Sequence, residues 1–408
     1  MKKIIITIFA ISIVLSTVYL YNDAELRWEV GKSLKIKEGT SPQTIDSNLK
    51  IEEVVTGANE LTTFAFIDND ILYLEKLNGD IKLIKNSELQ NEPLYHFDVY
   101  RTTESGLLGI TTNENYVYVY VSESLDEKGE IPDKNNIYKF LWDDYKLTEK
   151  ELVNTLPSRN CCHQGGYMTT SPDGKVFATI GDLENIREGT PGKLQNMIDG
   201  KIDDTSIIFQ VEYDKNEISP MNSDDPFSHY HAIGIRNSFG LAFDPITGNL
   251  WDTENGQFCC DEINLVTPKF NSGWGLAMGF VNQKTIDAIP NIGNFEYSQP
   301  EFEWKSVVAP TAIAIPGNQW GDEYKNSLFA GDYINGIIYK FELNEDRTKF
   351  IFQDESLQDL ILNDTDTYDE IIFGTGFGRI SDMKFGPDGS LYVATHLSNG
   401  ALFKISLK

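Results

Sequence analysis

From about residue 51 to the C-terminus, apolar positions come in short runs of strand length, broken by Gly, Asn and Asp. The segments FAFIDNDILYLEKLNGDIKLI (64–84), SPDGKVFATIGD (171–182), DPITGNLWDTENG (244–256) and GPDGSLYVATH (386–396) share one phrase. Each sets a tight turn (Asn-Asp, Asp-Gly or Thr-Gly) beside a run rich in aromatic and β-branched residues. Gly and Asn tolerate positive φ, so such turns feed hairpins. YKNSLFAGDYINGIIYKFEL (324–343) keeps the same strand–turn–strand rhythm. A sandwich does not need one phrase so many times; repetition predicts a β-propeller or another radial all-β array. Extended helical periodicity is scarce, and the acidic, weakly amphipathic stretch around 355–370 reads as an insertion. Loops from every unit of such an array converge on one end of its channel, where a site is expected.

Two regions precede the repeats. Two lysines and an apolar run from Ile4 to about Tyr21 have the layout of a signal peptide or uncleaved anchor helix, assigned to 1–22. Residues 23–50 are polar and aperiodic and read as a linker, with the β array over 51–408. The expected location is extracytoplasmic, secreted or anchored to the membrane through that N-terminal segment.

A formal net charge of −28 repels phosphate backbones and excludes nucleic acid as a partner. It also leaves carboxylates available for calcium. Four cysteines form two adjacent pairs, Cys161-Cys162 and Cys259-Cys260. Outside the cytoplasm they predict disulfides, between the pairs or within each.

Candidate chemistry concentrates in four segments. CCHQGGYMTTSPDGKVFATIGD (161–182) places His163 on a turn before two glycines, with Asp182 closing the next strand. An imidazole titrates near neutrality and suits a general base, although a lone histidine is more often packing. HAIGIRNSFGLAFDPITGNLWDTENGQFCCDEINLV (231–266) brings Arg236 and Asn237 to the mouth of a strand. It then crowds Glu254, Gly256, Gln257, Asp261 and Glu262 into an oxygen-rich loop suited to calcium, or to a plain polar turn. EFEWKSVVAPTAIAIPG (301–317) offers Trp304 as a wall for a planar ligand, or as core. FGTGFGRISDMKFGPDGSLYVATH (373–396) carries Arg379; its glycines precede a strand rather than a helix and make no dinucleotide site.

Taken in order with ESGLLGITTNENYVYVYVS (104–122) and NSGWG (271–275), these motifs resemble the glucose/sorbosone dehydrogenase family over roughly residues 50–406. The resemblance implies a six-bladed β-propeller that oxidises the anomeric carbon of aldose sugars with pyrroloquinoline quinone (PQQ) held on calcium. It implies His163 as the base, Asp182 as its brace, and Arg236 with Asn237 on quinone oxygens. It further implies Gly256 and Gln257 carbonyls on calcium near Asp261, Trp304 and Ser306 along the ligand face, and Arg379 on a cofactor carboxylate. The electron acceptor is left open.

Three positions depart from the family pattern: Tyr167 where an arginine often follows the glycines, Ile334 where a lysine is expected, and Ser381 where a second arginine is expected. Charge-assisted hydrogen bonds contribute roughly 1.5–3 kcal/mol each, so weakened quinone binding is the expectation. The alternatives are a non-catalytic extracellular propeller that binds a protein or glycan, and a calcium-dependent lactonase.

Overall fold

The computed structural model describes residues 41–102, 104–160, 162–183, 193–198, 201–212, 225, 227–396 and 399–408. The N-terminal apolar run and most of the expected linker lie outside them. Within them the chain is all-β and propeller-like, built from antiparallel sheets laid down one after another. The single described α-helix, Gln283–Ala288, is one short element, and no described helix is long and apolar enough to cross a membrane.

The repeated phrase forms the first hairpin of successive sheets. Met168–Thr170 turns through Asp173-Gly174 into Val176–Ile180, and Ser238–Phe243 turns through Thr247-Gly248 into Leu250–Glu254. Ile380–Phe385 turns through Asp388-Gly389 into Leu391–Thr395. Gly174, Gly248 and Gly389 all have φ near +75 to +80°, which is why glycine stands there.

The first strands of these sheets touch in a closed cycle: Leu61–Ile67, Leu107–Asn113, Met168–Thr170, Ser238–Phe243, Pro310–Ala314, Ile380–Phe385, and back to Leu61–Ile67. The last sheet joins the two ends of the described chain, because Leu49–Ala58 pairs antiparallel with Gly400–Leu407 from Leu49↔Leu407 to Ala58↔Gly400. That pairing covers both edges of Gly400–Leu407, with Leu49–Ala58 as the outer strand of the sheet. The array therefore begins earlier than the sequence suggested. Gln43–Thr44 already pairs with Ile372–Thr375, and Leu49–Ala58 starts at Leu49, so strands reach into the stretch read as a linker.

Aromatic side chains fill the gaps between sheets. Trp251, Phe302, Trp304, Phe341 and Phe350 pack ring against ring with centroids 4.8–6.5 Å apart. Burial of a side chain of this size contributes roughly 1.5–3 kcal/mol. The acidic insertion holds 3₁₀ turns at Glu355–Leu357 and Asp369–Ile371, with Leu357 and Ile371 as its buried anchors.

The ring encloses a channel with two cavities. Starts of the inner strands and the residues just before them (Thr62, Leu108, Asn237, Thr311, Ser381) line one, of about 510 Å³. Their ends (Phe66, Thr112, Phe243, Ala314, Phe385) line the other, of about 430 Å³.

Candidate active site

His163 sits at the first cavity in a left-handed conformation (φ +59°), unusual for a residue with a Cβ. Two glycines just after it fix it there. A Cβ on Gly165 would lie 2.5 Å from Ile180 Cα, and one on Gly166 would lie 2.5 Å from Leu108 Cβ. The loop must lie flush on two strands, and glycine allows that. The His163 amide N–H donates to Glu104 Oε2 (2.6 Å).

Imidazole Nδ1 meets Asp182 Oδ1 at 2.5 Å, and the indole N–H of Trp274 donates to Asp182 Oδ2 at 2.7 Å. Burial raises the Asp182 pKa, but the bonds from His163 and Trp274 and the nearby Arg236 charge outweigh it, and the net shift is downward. The ionised carboxylate accepts the Nδ1 proton, which leaves Nε2 as the basic nitrogen.

Arg236 faces the same cavity. The two loops interlock at Gly181, where a Cβ would lie 2.5 Å from Arg236 O and 2.6 Å from His163 O. Asp182 N–H donates to Arg236 O at 3.0 Å. The guanidinium lies over the Trp274 ring, 5.2 Å from its centroid, and Nη1 donates to the carbonyls of Asn255 (2.6 Å) and Gly256 (3.0 Å). Burial pulls its pKa down, while Asp182, Glu254, Glu104 and Asp261 counter that. Glu254 accepts the Arg236 amide N–H (2.5 Å) and the Ser272 hydroxyl (2.6 Å); burial pushes its pKa up to about 7. Asn237 lines the cavity and donates toward Glu104 (3.5 Å).

The remaining expected residues divide. Trp304 does not wall the cavity; it is core, edge-on to Phe302 and Tyr339, because its strand is covered on both faces. Ser306 does not line it either: its hydroxyl donates to Asp364 at 2.5 Å on the exposed side. Asp261 clamps its loop, accepting N–H from Gly256 (2.7 Å), Val308 (2.7 Å) and Ala309 (2.8 Å). Burial still raises its pKa to about 6. Arg379 is at the rim, exposed, its guanidinium 5.3 Å over the Tyr333 ring, and Tyr333 itself lines the cavity.

Calcium takes about six to eight oxygen ligands. Here the Asp261 carboxylate is committed to three amides, the Gly256 carbonyl already accepts from Arg236, and Gln257 does not line the cavity. Among the described residues no three His, Cys, Asp or Glu side chains gather as a metal site. Of the expected calcium set, Asp261 and the Gly256 carbonyl thus already have protein partners, and Gln257 lies off the cavity lining.

An organic anion fits better. Arg236 Nε and the N–H of the His396 ring are donors buried without a protein partner, and both residues line the cavity; the orphaned Asn237 and Asn255 Oδ1 atoms are acceptors and suit a ligand hydroxyl. Buried polar groups are otherwise almost always bonded.

The sequence motifs did not single out Glu104, Trp274 as the Asp182 partner, Lys76 or His396. Glu104 and Trp274 lie inside ESGLLGITTNENYVYVYVS and NSGWG, but nothing in the spacing shows which way they face. The cysteine pairs do not bridge the two loops: Cys259 and Cys260 bond to each other, and Cys162, also disulfide-bonded, lines the cavity.

A ring of sheets with a buried imidazole–carboxylate pair and a guanidinium facing one cavity defines a propeller-like protein with a candidate active site in its channel. The chain belongs to the Glucose / Sorbosone dehydrogenase family, whose model matches residues 59–404. It is 28% identical to the aldose sugar dehydrogenase YliI of Escherichia coli over 256 residues, 60% of each chain. It is 31% identical to quinoprotein glucose dehydrogenase B of Acinetobacter calcoaceticus over 205 residues, 43% of this chain and 41% of that one. The apo-form soluble aldose sugar dehydrogenase of E. coli shares the fold, with a TM-score of 0.66 at 22% identity over 88% of this chain and all of that one.

Proposed function

We propose that the protein is a PQQ-dependent aldose dehydrogenase with His163 as its general base. The observation that carries this reading is the His163–Asp182–Trp274 chain of hydrogen bonds beside Arg236, in a cavity where the buried Arg236 Nε is a donor without a protein partner. The quinone, when bound, supplies the two-electron acceptor for the hydrogen on the sugar's anomeric carbon. His163 Nε2 takes the anomeric hydroxyl proton, and Asp182 holds the ring in the required tautomer and stabilises the imidazolium. Trp274 keeps Asp182 aimed and ionised. Arg236, with Asn237, holds ligand oxygens and stabilises negative charge that develops there, an effect strengthened by burial. No step is assigned to calcium.

We also infer six blades, since six first strands close the inner cycle. The oxidised cysteines and the N-terminal apolar run support a location outside the cytoplasm.

Titration of the purified protein with PQQ, with and without calcium, followed by visible spectra and dye reduction with a panel of aldoses, tests the reading. Expected are a retained quinone spectrum and sugar-dependent dye reduction. Absence of both rejects the reading.

A further inference from the structure

The loop that holds Arg236 is closed by a bond between neighbours in the chain. Cys259 and Cys260 form a disulfide with each other, and the proton-transfer machinery does not use it. The bond lies in NGQFCCD, residues 255–261, whose first two carbonyls accept from Arg236 Nη1: Asn255 O at 2.6 Å and Gly256 O at 3.0 Å. A guanidinium is a rigid planar fork, so two bonds at Nη1 also set where its Nε points. That Nε is the donor buried without a protein partner. The conformation of the loop therefore decides how Arg236 is presented to a ligand.

The disulfide reaches Gly256 by direct contact. A Cβ on Gly256 would lie 1.8 Å from the Cys259 carbonyl oxygen, so the chain folds back with Cys259 flat against it, and only glycine fits. Cys260 is left-handed (φ +72°), a conformation disfavoured for a residue with a Cβ, and its N–H donates to Trp304 O at 3.1 Å. Bonding to the adjacent sulfur holds it there; once that bond opens, Cys260 can relax, and the carbonyl resting on Gly256 moves with it. The bond is also built to open from one side. Cys259 is half-buried next to the exposed Phe258, whereas Cys260 is buried with Lys305 Nζ 4.0 Å from its sulfur; Lys305 also pairs with Glu303 at 3.1 Å. A thiolate that attacks Cys259 Sγ breaks the S–S bond and expels Cys260 as a thiolate, which the Lys305 ammonium stabilises. The second thiol of a dithiol then attacks the mixed disulfide and frees Cys259. Both protein sulfurs take up protons, the protein gains two electrons, and the dithiol leaves as its own disulfide.

We propose that Cys259–Cys260 is a thiol-exchange site that controls Arg236. Oxidised, the loop holds the guanidinium by the Asn255 and Gly256 carbonyls; reduced by a dithiol, it releases that hold. The two cysteines are thus positioning residues that act through Arg236. The effect on Arg236 is independent of the quinone reading, and the effect on cofactor binding rests on it.

Guanidinium N–H resonances of ligand-free protein carrying isotope-labelled arginine test this directly, with Arg236→Lys to assign the Arg236 signal. Dithiothreitol treatment, iodoacetamide trapping and peptide mass spectrometry report the state of each bond. Expected are alkylation of Cys259 and Cys260 in folded protein, an Arg236 signal that shifts on reduction, and its return on re-oxidation. In Cys259→Ser/Cys260→Ser the signal should stand at the reduced position and ignore dithiothreitol, which separates this bond from the one at Cys162. Where circular dichroism shows that variant unfolded, graded reduction of the wild type decides: the shift should follow alkylation of Cys259 and not of Cys162. PQQ binding, measured by calorimetry, should weaken about ten-fold on reduction. Oxidised protein that never binds PQQ but shows the reversible shift keeps the exchange site and rejects the quinone reading. Cysteines 259 and 260 that resist dithiothreitol in folded protein, or an Arg236 signal that stays in place once both are alkylated, overturn the proposal. PQQ affinity that is equal before and after reduction overturns its link to the cofactor.

Discussion

The two ends of the channel hold the same kinds of residue and use them oppositely. At the cavity formed by strand ends, Asp382 accepts from Thr63 Oγ1 (2.6 Å), Phe64 N–H (3.3 Å), Tyr167 OH (2.7 Å) and the Lys384 ammonium, and Lys384 also reaches Thr63 (3.1 Å). Its ammonium lies 4.9 Å from the centroids of Phe64 and Tyr167. Carboxylate, cation and rings satisfy one another, and the rest of the lining is largely apolar. At the His163 end a carboxylate, a cation and rings also meet, but Arg236 Nε, Asn237 Oδ1 and the His396 nitrogens remain unbonded. A closed polar network tethers three sheets; an open one is where a ligand completes the bonding. Tyr167 falls on the closed side. Its place in the motif therefore removes no cation from the site.

Substitutions can break this contrast. The largest effect is expected at the open end. His163→Ala should lower kcat of the reconstituted enzyme by roughly 10²–10⁴-fold in a dye-reduction assay, with quinone affinity and melting temperature little changed. At the closed end, Lys384→Met should leave the Asp382 charge buried without its cation and cost about 3–5 kcal/mol in urea unfolding, while kcat per folded molecule holds. A loss of kcat with unchanged stability at Lys384 would erase the distinction.

A smaller effect separates the ends by pH. Glu254 and Asp261 by the site and Asp332 in the next sheet have folded pKa values raised to about 7, 6 and 6, by burial above all. An acid raised on folding holds its proton in the native chain after the unfolded chain has lost it. Stability therefore falls as pH rises from about 4 through those values. Asp182, depressed on folding, acts only at lower pH, where its contribution fades as the medium acidifies. The melting temperature should thus decline between about pH 5 and 8, and Glu254→Gln should flatten the decline. A melting temperature that climbs over this range would contradict the buried-acid account. The smallest effect is expected at Ser306: Ser306→Ala should leave kcat/KM and stability within about 0.5 kcal/mol of the wild type, since its hydroxyl faces Asp364 at the surface.

Much of this was legible in the chain. Turn residues and short runs rich in aromatic and β-branched residues are local properties, so the repeated hairpins at 171–182, 244–256 and 386–396 could be read one by one, and their repetition implied the radial array. His163, Asp182 and Arg236 stood in motifs whose order carried the family likeness, and the structure brings His163 and Arg236 to one cavity with Asp182 bonded behind His163. Trp304, Ser306 and Asp261 stood in equally suggestive motifs and turned away from the ligand space. A strand alternates its faces, and which face meets the channel depends on the neighbouring sheet.

The sequence by itself determined the hairpin units, the glycines that let loops lie flush, and the residue types available for catalysis, because each depends on φ, on periodicity or on chemistry within a few residues. Only the tertiary structure decided which of those residues share a cavity. Lys76 and His396 are 320 positions apart and reach one wall because Leu49–Ala58 pairs with Gly400–Leu407 and closes the ring. Closure brings the first and last sheets side by side, and no local pattern records that distance.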